Sequence, residues 1–108
     1  MTQFIVTHRY GNEERWADLR LIRQLVGELD DRPEDVEHPC VAVADESGLA
    51  LSAYVDGTVI YENVEDDEST PRYLVGLTRR DQVRLLTALA DGRIDELEAE
   101  SWSSRPPE

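Results

Sequence analysis

The stretch CVAVADESGLALSAYVDGTVIYENV, residues 40–64, decides the fold. Three runs rich in Val, Ala, Leu, Ile and Tyr (40–45, 49–55 and 58–64) are separated by Glu46-Ser47-Gly48 and by Asp56-Gly57. Asp-Gly between two such runs is a strong short-range hairpin signal, because tight hairpin turns need positive φ. The stretch therefore reads as a β-meander. With two-residue loops at Ser47-Gly48 and Asp56-Gly57, Ala44 faces Leu51, Ala42 faces Ala53, Ala53 faces Ile60, Tyr54 faces Val59 and Ser52 faces Tyr61. That register puts Ala42, Ala44, Leu51, Ala53 and Ile60 on one face, small and aliphatic and suited to receive helices. It puts Val41, Val43, Ser52, Tyr54, Val59, Tyr61 and Asn63 on the other.

Upstream, residues 3–10 alternate as a strand, with Phe4, Val6, His8 and Tyr10 on one side. Gly11-Asn12 ends it, and Asn12 is placed to cap a helix whose first turn carries Glu13 and Glu14 at the positive end of the helix dipole. Trp16, Leu19, Ile22, Leu25, Val26 and Leu29 recur at helical spacing, which predicts an amphipathic helix from about 13 to 29. Asp30-Asp31-Arg32-Pro33 stops it. Downstream, 65–71 is a charged loop and Arg72 to Leu77 a last strand. Thr78 caps a second helix, with Asp81 completing a capping box. Val83, Leu85, Leu86, Leu89 and Ala90 form its apolar face, and Gly92 suits its C-terminal stop. Ile94 to Ala99 adds a turn or two before Trp102. The order β-α-β-β-β-β-α predicts one two-layer α+β domain over residues 1–102. Its antiparallel sheet has four to five strands with two helices on one face, and 103–108 form a flexible tail.

Charge is the second feature. Residues 30–68 hold thirteen acids against one base, Arg32, and so carry twelve of the thirteen net negative charges. The flanks are close to neutral. Such a field repels nucleic acid and anionic lipid and attracts basic surfaces, and it bears on partner choice rather than on fold. All eleven bases are arginine. This fits the coding bias of a GC-rich genome, and it also leaves guanidinium as the partner for every carboxylate. Arg79, Arg80 and Arg84 cluster on the second helix and point to a contact with the acidic middle of the chain. The apolar runs are too short to span a membrane. MTQFIVTHRYG lacks the pattern of a secretory leader, and the single Cys40 fits a reducing compartment. The expected location is the cytoplasm.

No constellation spells out a reaction. Asp66, Asp67 and Glu68 could in principle act as paired acid and base, but nothing around them would split their pKa values, and a solvated loop accounts for them. Their spacing lacks the glycine and closing glutamate of a calcium loop. His8, His38 and Cys40 lack the fourth ligand and pair spacing of zinc. Cys40 as a nucleophile would need a base held against it, with His38 two residues away the candidate. There is no glycine-rich phosphate loop. No metal, cofactor or catalytic residue is expected. Trp16 reads as core and Trp102 as the rim of the core. Tyr54 and Tyr61 share a face in the predicted register. Uncovered, they make a hot-spot surface for a basic partner; covered, they are ordinary core.

Gly48 to Glu65, Pro71-Arg72-Tyr73 and the ending Leu89 to Gly92 with Glu98 to Trp102 resemble small actinobacterial proteins. The closing pattern, an amphipathic helix, a glycine and a short run to Trp, resembles immunity proteins of deaminase-type toxins. The resemblance implies a cytoplasmic, acidic α+β domain that neutralises a toxin by binding it. Glu62, Asn63 and Trp102 stand at positions that match the family, and no catalytic residue carries over. The expected function is thus a non-enzymatic acidic protein that binds and inhibits a basic partner, such as a toxin domain. Tyr54, Tyr61, Glu62, Asn63, Glu65, Asp66, Asp67 and Glu68 are the candidate contacts. The alternatives are a homo-oligomer, such as a homodimer, that uses the tyrosine face for itself, and a small enzyme built on Cys40 or a carboxylate pair.

Overall fold

In the computed structural model, which describes residues 4–15, 19–31, 40–63, 65–66 and 70–104, the central meander pairs β3 (Cys40–Asp45) with β4 (Leu49–Tyr54) and β4 with β5 (Val59–Asn63). Both pairs are antiparallel. Val43 stands opposite Leu51, and Leu51 opposite Tyr61, one residue away from the register that two-residue loops would give. Each loop holds three residues instead. In the second, the Gly57 N–H donates to Tyr54 O (3.0 Å) and the Tyr54 N–H to Thr58 O (2.8 Å) around Val55-Asp56-Gly57. In the first, the Gly48 N–H donates to Asp45 O (3.2 Å) around Glu46-Ser47-Gly48. Gly48 (φ 96°) and Gly57 (φ 90°) occupy the third position in the left-handed region, where the three-residue hairpin needs a glycine. The preceding acids brace the turns: Asp45 Oδ1 accepts from the Ser47 and Leu49 amides, and Asp56 Oδ1 from the Thr58 amide.

A one-residue shift exchanges the two faces of a strand relative to its neighbours. The predicted division of the sheet is corrected accordingly. Val41, Val43, Leu51, Ala53, Val59 and Tyr61 share one face and are fully buried in the core. Ala42, Ala44, Ser52, Tyr54, Ile60 and Glu62 share the other. Tyr54 and Tyr61, expected side by side, lie on opposite faces.

Outside the meander the sheet gains β1 (Phe4–Thr7) beside β3, β2 (Glu13–Glu14) beside β1, and β6 (Arg72–Leu74) beside β5. The six strands run in the order β2-β1-β3-β4-β5-β6, antiparallel throughout. The expected two-layer α+β class holds, with α1 (Leu19–Gly27) and α2 (Arg79–Ala90) packed on one face and a short α3 (Ile94–Glu98) after them. The first helix does not begin at Glu13 as its sequence suggests. Gly11 turns at φ 94°, the His8 N–H donates to Asn12 O (2.7 Å), and Glu13 and Glu14 fold back as a strand on Thr7 and Val6. Trp16, expected in the core, lies outside the described residues. The last strand ends at Leu74 rather than Leu77.

α1 buries Leu21, Ile22, Leu25 and Val26, and a 3-10 turn over Glu28–Asp30 continues it and buries Leu29. α2 starts and stops as its sequence predicts. Thr78 and Asp81 form a reciprocal capping box. At the other end the Gly92 N–H donates to Leu89 O (3.1 Å) and the Arg93 N–H to Ala88 O (2.8 Å), the paired bonds of a Schellman stop. The apolar stripe of α2 includes one polar side chain, Gln82, which is fully buried. Its Nε2 donates to Tyr54 O (2.9 Å), and its Oε1 accepts from Arg79 Nη1 (2.9 Å). Arg79 Nη2 in turn donates to Val55 O (2.8 Å). These bonds satisfy the carbonyls at the tip of the β4–β5 hairpin and tie it to α2, and Leu77 N–H closes the junction on Gly57 O (3.0 Å).

That junction leaves no space at Gly57, where an added Cβ would lie 2.7 Å from Leu77 O, whereas at Gly11 it would meet nothing within 4 Å. Gly57→Ala should therefore lower the unfolding free energy by roughly 2–3 kcal/mol and Gly11→Ala by about 1 kcal/mol. Urea unfolding followed by circular dichroism measures both, and equal costs would contradict the packed junction.

Candidate functional site

Alternation along the strands gives the face opposite the helices a definite content. One cross-strand row runs Thr7, Ala42, Ser52, Ile60, Tyr73, and a second runs Ile5, Ala44, Ala50, Glu62. A third pair, Cys40 and Tyr54, stands at the end nearest the β4–β5 turn. The middle of this face is small and apolar. Ile5 is 40% exposed, and Tyr54, Ile60 and Tyr73 are half-buried. Carboxylates stand at its margins: Glu13 opposite Thr7, Glu62 on β5 and Asp56 at the turn. Among the described residues neither α1 nor α2 lies on it, since both pack on the other side.

Tyr54, Asp56, Thr58 and Ile60 line a cavity of about 220 Å³ on this face, beside the β4–β5 turn. Asp56 is exposed and Thr58 buried. Tyr54 stands directly across the β3–β4 pair from Cys40. Burial pushes the Tyr54 phenol up, and the nearby Cys40, Glu62 and Asp56 add to the shift. Burial likewise pushes the Cys40 thiol above its usual value, and the neighbouring Tyr54 phenol only partly opposes this. A thiol shifted this way is mostly protonated at neutral pH, the opposite of an activated nucleophile. His38, the candidate base for it, lies outside the described residues. A larger hollow, about 300 Å³, is walled by the single run Gly92 to Glu96, where Arg93 is already engaged with Asp91 and Glu96.

The other expected contact residues scatter. Tyr61 is fully buried on the helix side, where its ring packs on Trp102 (centroids 5.1 Å apart) and under the Arg72 guanidinium (4.5 Å). Arg72 makes a two-bond pair with Glu98 (2.6 and 2.9 Å), and the Tyr61 hydroxyl donates to the same carboxylate (3.2 Å). The Arg72 pair holds Glu98 below the usual carboxylate range against the opposing effect of burial. Trp102 closes the core rim as expected, its Nε1 donating to Leu97 O (2.6 Å). Asn63 braces the strand end by accepting from the Glu65 amide (3.0 Å), and Glu65 lies beside Gly48 at the opposite end of the sheet from Asp56. Asp66 follows in the same turn, its N–H donating to Asn63 O (3.3 Å). Asp67 and Glu68 lie outside the described residues. The structure thus keeps Tyr54 and Glu62 on one open face, removes Tyr61 from it, and places Asn63, Glu65 and Asp66 at its far end. Ile60, assigned to the helix side by the predicted register, belongs to the open face.

A second polar cluster went unseen in the sequence. His8 stands between two carboxylates, Nδ1 to Glu28 Oε2 (2.6 Å) and Nε2 to Glu14 Oε2 (2.5 Å). The Arg9 amide donates to Glu28 Oε1 (2.9 Å), and the buried Arg9 guanidinium to Glu28 O (3.0 Å) at the end of the first helical segment. These bonds fasten the β1–β2 turn to that segment. Of the arginines on α2, Arg79 meets the acidic block at Asp30 (3.0 Å), and Arg84 pairs with Glu100 (3.1 Å). Among the described residues no group of three His, Cys, Asp or Glu is placed to hold a metal ion, and no helix is long and apolar enough to cross a membrane.

This site defines a class, a six-stranded α+β sandwich of one sheet and one helical layer, whose second sheet face carries neither α1 nor α2 among the described residues and is edged by acids. Comparison with known proteins adds nothing to it: no family model, no curated protein and no solved structure matches the chain.

Burial would lower the His8 pKa, but hydrogen bonds and attraction from Glu14 and Glu28 outweigh it, so the folded value is raised above 6.5. A raised folded value means that the stabilisation is fully present below pH 6.5 and lost as pH climbs through the folded pKa. His8→Gln should therefore cost roughly 1–3 kcal/mol at mildly acidic pH, the scale of hydrogen bonds to charged groups. The cost should shrink as the solution becomes alkaline. A wild-type-to-variant gap that widens with pH in urea melts would refute this sign. Separately, Cys40 should react with iodoacetamide at pH about 8 roughly tenfold more slowly in the folded chain than after denaturation; equal rates would place a reactive thiolate there.

Proposed function

We propose that the chain is a non-enzymatic acidic binding protein that docks a basic protein partner on its open sheet face. The observation that carries this reading is the asymmetry of the sheet. One face buries its Val, Leu and Tyr side chains under helices, while the other presents Ile5, Tyr54, Ile60 and Tyr73 with acids at its edge. An apolar centre inside a charged rim is the usual anatomy of a protein interface, and aromatic residues are its frequent anchors. A net charge of −13 adds long-range attraction for a basic partner and disfavours nucleic acid and anionic membranes. The same charge opposes close approach of two copies, which weighs against the homo-oligomer reading. A toxin domain that acts on nucleic acid is the class of partner we favour, since such domains carry basic surfaces and the hairpin and C-terminal residues resemble immunity proteins. Inhibition by occlusion in the cytoplasm follows from that class.

Affinity capture from source cells with the wild-type chain, Ile60→Arg and Leu19→Arg as baits tests this reading. Leu19 is exposed on the helical side and serves as the control. A basic protein should be retained by wild type and Leu19→Arg, lost with Ile60→Arg, and released at about 0.5 M salt, where charges are screened within a few ångström. Equal capture by all three baits, or none by wild type, would sink the proposal. A concentration-dependent dimer in sedimentation that Ile60→Arg abolishes would replace it with self-association.

A further inference from the structure

The covered side of the sheet contains a complete recognition unit: the Tyr61 ring, the Arg72 guanidinium stacked 4.5 Å from its centroid, and the Glu98 carboxylate gripping that guanidinium through two bonds. Planar guanidinium suits both partners at once, since it stacks on an aromatic face and offers paired N–H donors to a carboxylate. On the open side, Tyr54, Asp56 and Ile60 line one cavity with Thr58, and Glu62 lies further along β5 on the same face. Among the described residues the guanidinium–ring contacts are at Tyr61 and Tyr10, and Tyr54 has none. Arg79 passes close by but reaches only backbone there: its guanidinium donates to the Tyr54 and Val55 carbonyls.

We propose that the cavity lined by Tyr54, Asp56, Thr58 and Ile60 is a receptor for one arginine side chain of the protein partner. Its volume, about 220 Å³, is below the range of pockets for drug-sized ligands and suits a single long side chain. Asp56 Oδ1 is held by the Thr58 amide at 3.0 Å, which fixes the carboxylate at the mouth and leaves Oδ2 to meet an incoming donor. Ile60 supplies an apolar wall for the aliphatic stem, as long basic side chains prefer. Cys40 stands opposite Tyr54 across the β3–β4 pair, at the same end of the sheet as the cavity. The guanidinium would sit against the Tyr54 ring with its N–H groups on Asp56, and Glu62 would add charge from β5.

This inference rests on the reading of the open face as a partner surface, and it can fail alone. The test uses the full chain, labelled with ¹⁵N and with ¹³C at isoleucine methyls. It is titrated with the capped peptide Gly-Gly-Arg-Gly-Gly and with its citrulline and lysine counterparts, followed by NMR. Arginine peptide should shift the Ile60 methyl and the amides of residues 54–60, with citrulline peptide leaving them unmoved and lysine peptide binding more weakly. Asp56→Asn keeps an oxygen for the Thr58 amide and should weaken arginine binding about two- to fivefold, the range of exposed ion pairs. Asp95→Asn, the same charge change on α3, should leave it unaltered. Tyr54→Leu keeps every charge and should bring arginine binding down to the lysine level. Equal responses to arginine and lysine, equal effects of Asp56→Asn and Asp95→Asn, or shifts spread over the acidic surface would overturn the inference. Absence of binding would do the same, while leaving the capture result on the open face standing.

Discussion

Three-residue loops, each closed by a glycine in the left-handed region, are the constraint on which the rest of this structure depends. Gly48 and Gly57 each add one residue to a turn that the shortest hairpin would do without, and each addition rotates β4 by one position against its neighbours. Because side chains alternate with a period of two, the pair of additions gathers Val41, Val43, Leu51, Val59 and Tyr61 on one face. With two-residue loops, Val43 and Tyr61 would share a face with Ser52 and Tyr54, and Leu51 would be stranded among alanines. Only the longer turns build a continuous aliphatic layer wide enough for α1 and α2. The energetic advantage of burying that layer, on the order of 2 kcal/mol for each large side chain, far exceeds any difference in turn propensity.

Polar groups were then fitted around the core rather than kept from it. Gln82 and Arg79 serve the carbonyls of the hairpin tip, Arg9 serves the last carbonyls of the first helical segment, and Glu98 receives both Tyr61 and Arg72. In each case a side chain that could have been solvated is spent on a backbone or aromatic group that burial would otherwise leave without a partner. The all-arginine composition matters here. Arg79 donates to Asp30, Gln82, Tyr54 and Val55 at once, a fan of bonds that an ammonium group could not span.

Much of the architecture was legible because local signals and tertiary packing agree. The capping box at Thr78 and Asp81, the Gly92 stop and the meander itself follow from short-range chemistry. The register did not, since Ser47-Gly48 and Asp56-Gly57 fit loops of two or three residues equally well, and only the aliphatic layer decides between them. The start of the first helix misled for a related reason. Asn12-Glu13-Glu14 carries the marks of a helix start, yet pairing with β1 and the His8 contact with Glu14 hold it as a strand. Of the candidate contacts, Tyr54 lies on the face that the meander suggests, Glu62 enters through the resemblance rather than the register, and Tyr61 is misplaced with the register. Gln82 could have been found, since it lies three and four residues before Leu85 and Leu86 on the buried stripe. The partnership of His8 with Glu28 spans twenty residues and leaves no local trace.

The isolated pairing of Tyr73 with Ser103, through Tyr73 N–H to Ser103 O (2.8 Å) and Ser103 N–H to Tyr73 O (2.9 Å), places the first residue of the expected tail on the outer edge of β6. At the far edge, β2 is two residues long and both are glutamate. An open sheet invites further strands wherever a row of unpaired amides faces outward, and short, charged or covered borders are how proteins refuse them. Here one border is latched by the chain's own return and the other is brief and repulsive. Strand addition at these two borders, and the runaway assembly that it seeds, is thereby discouraged.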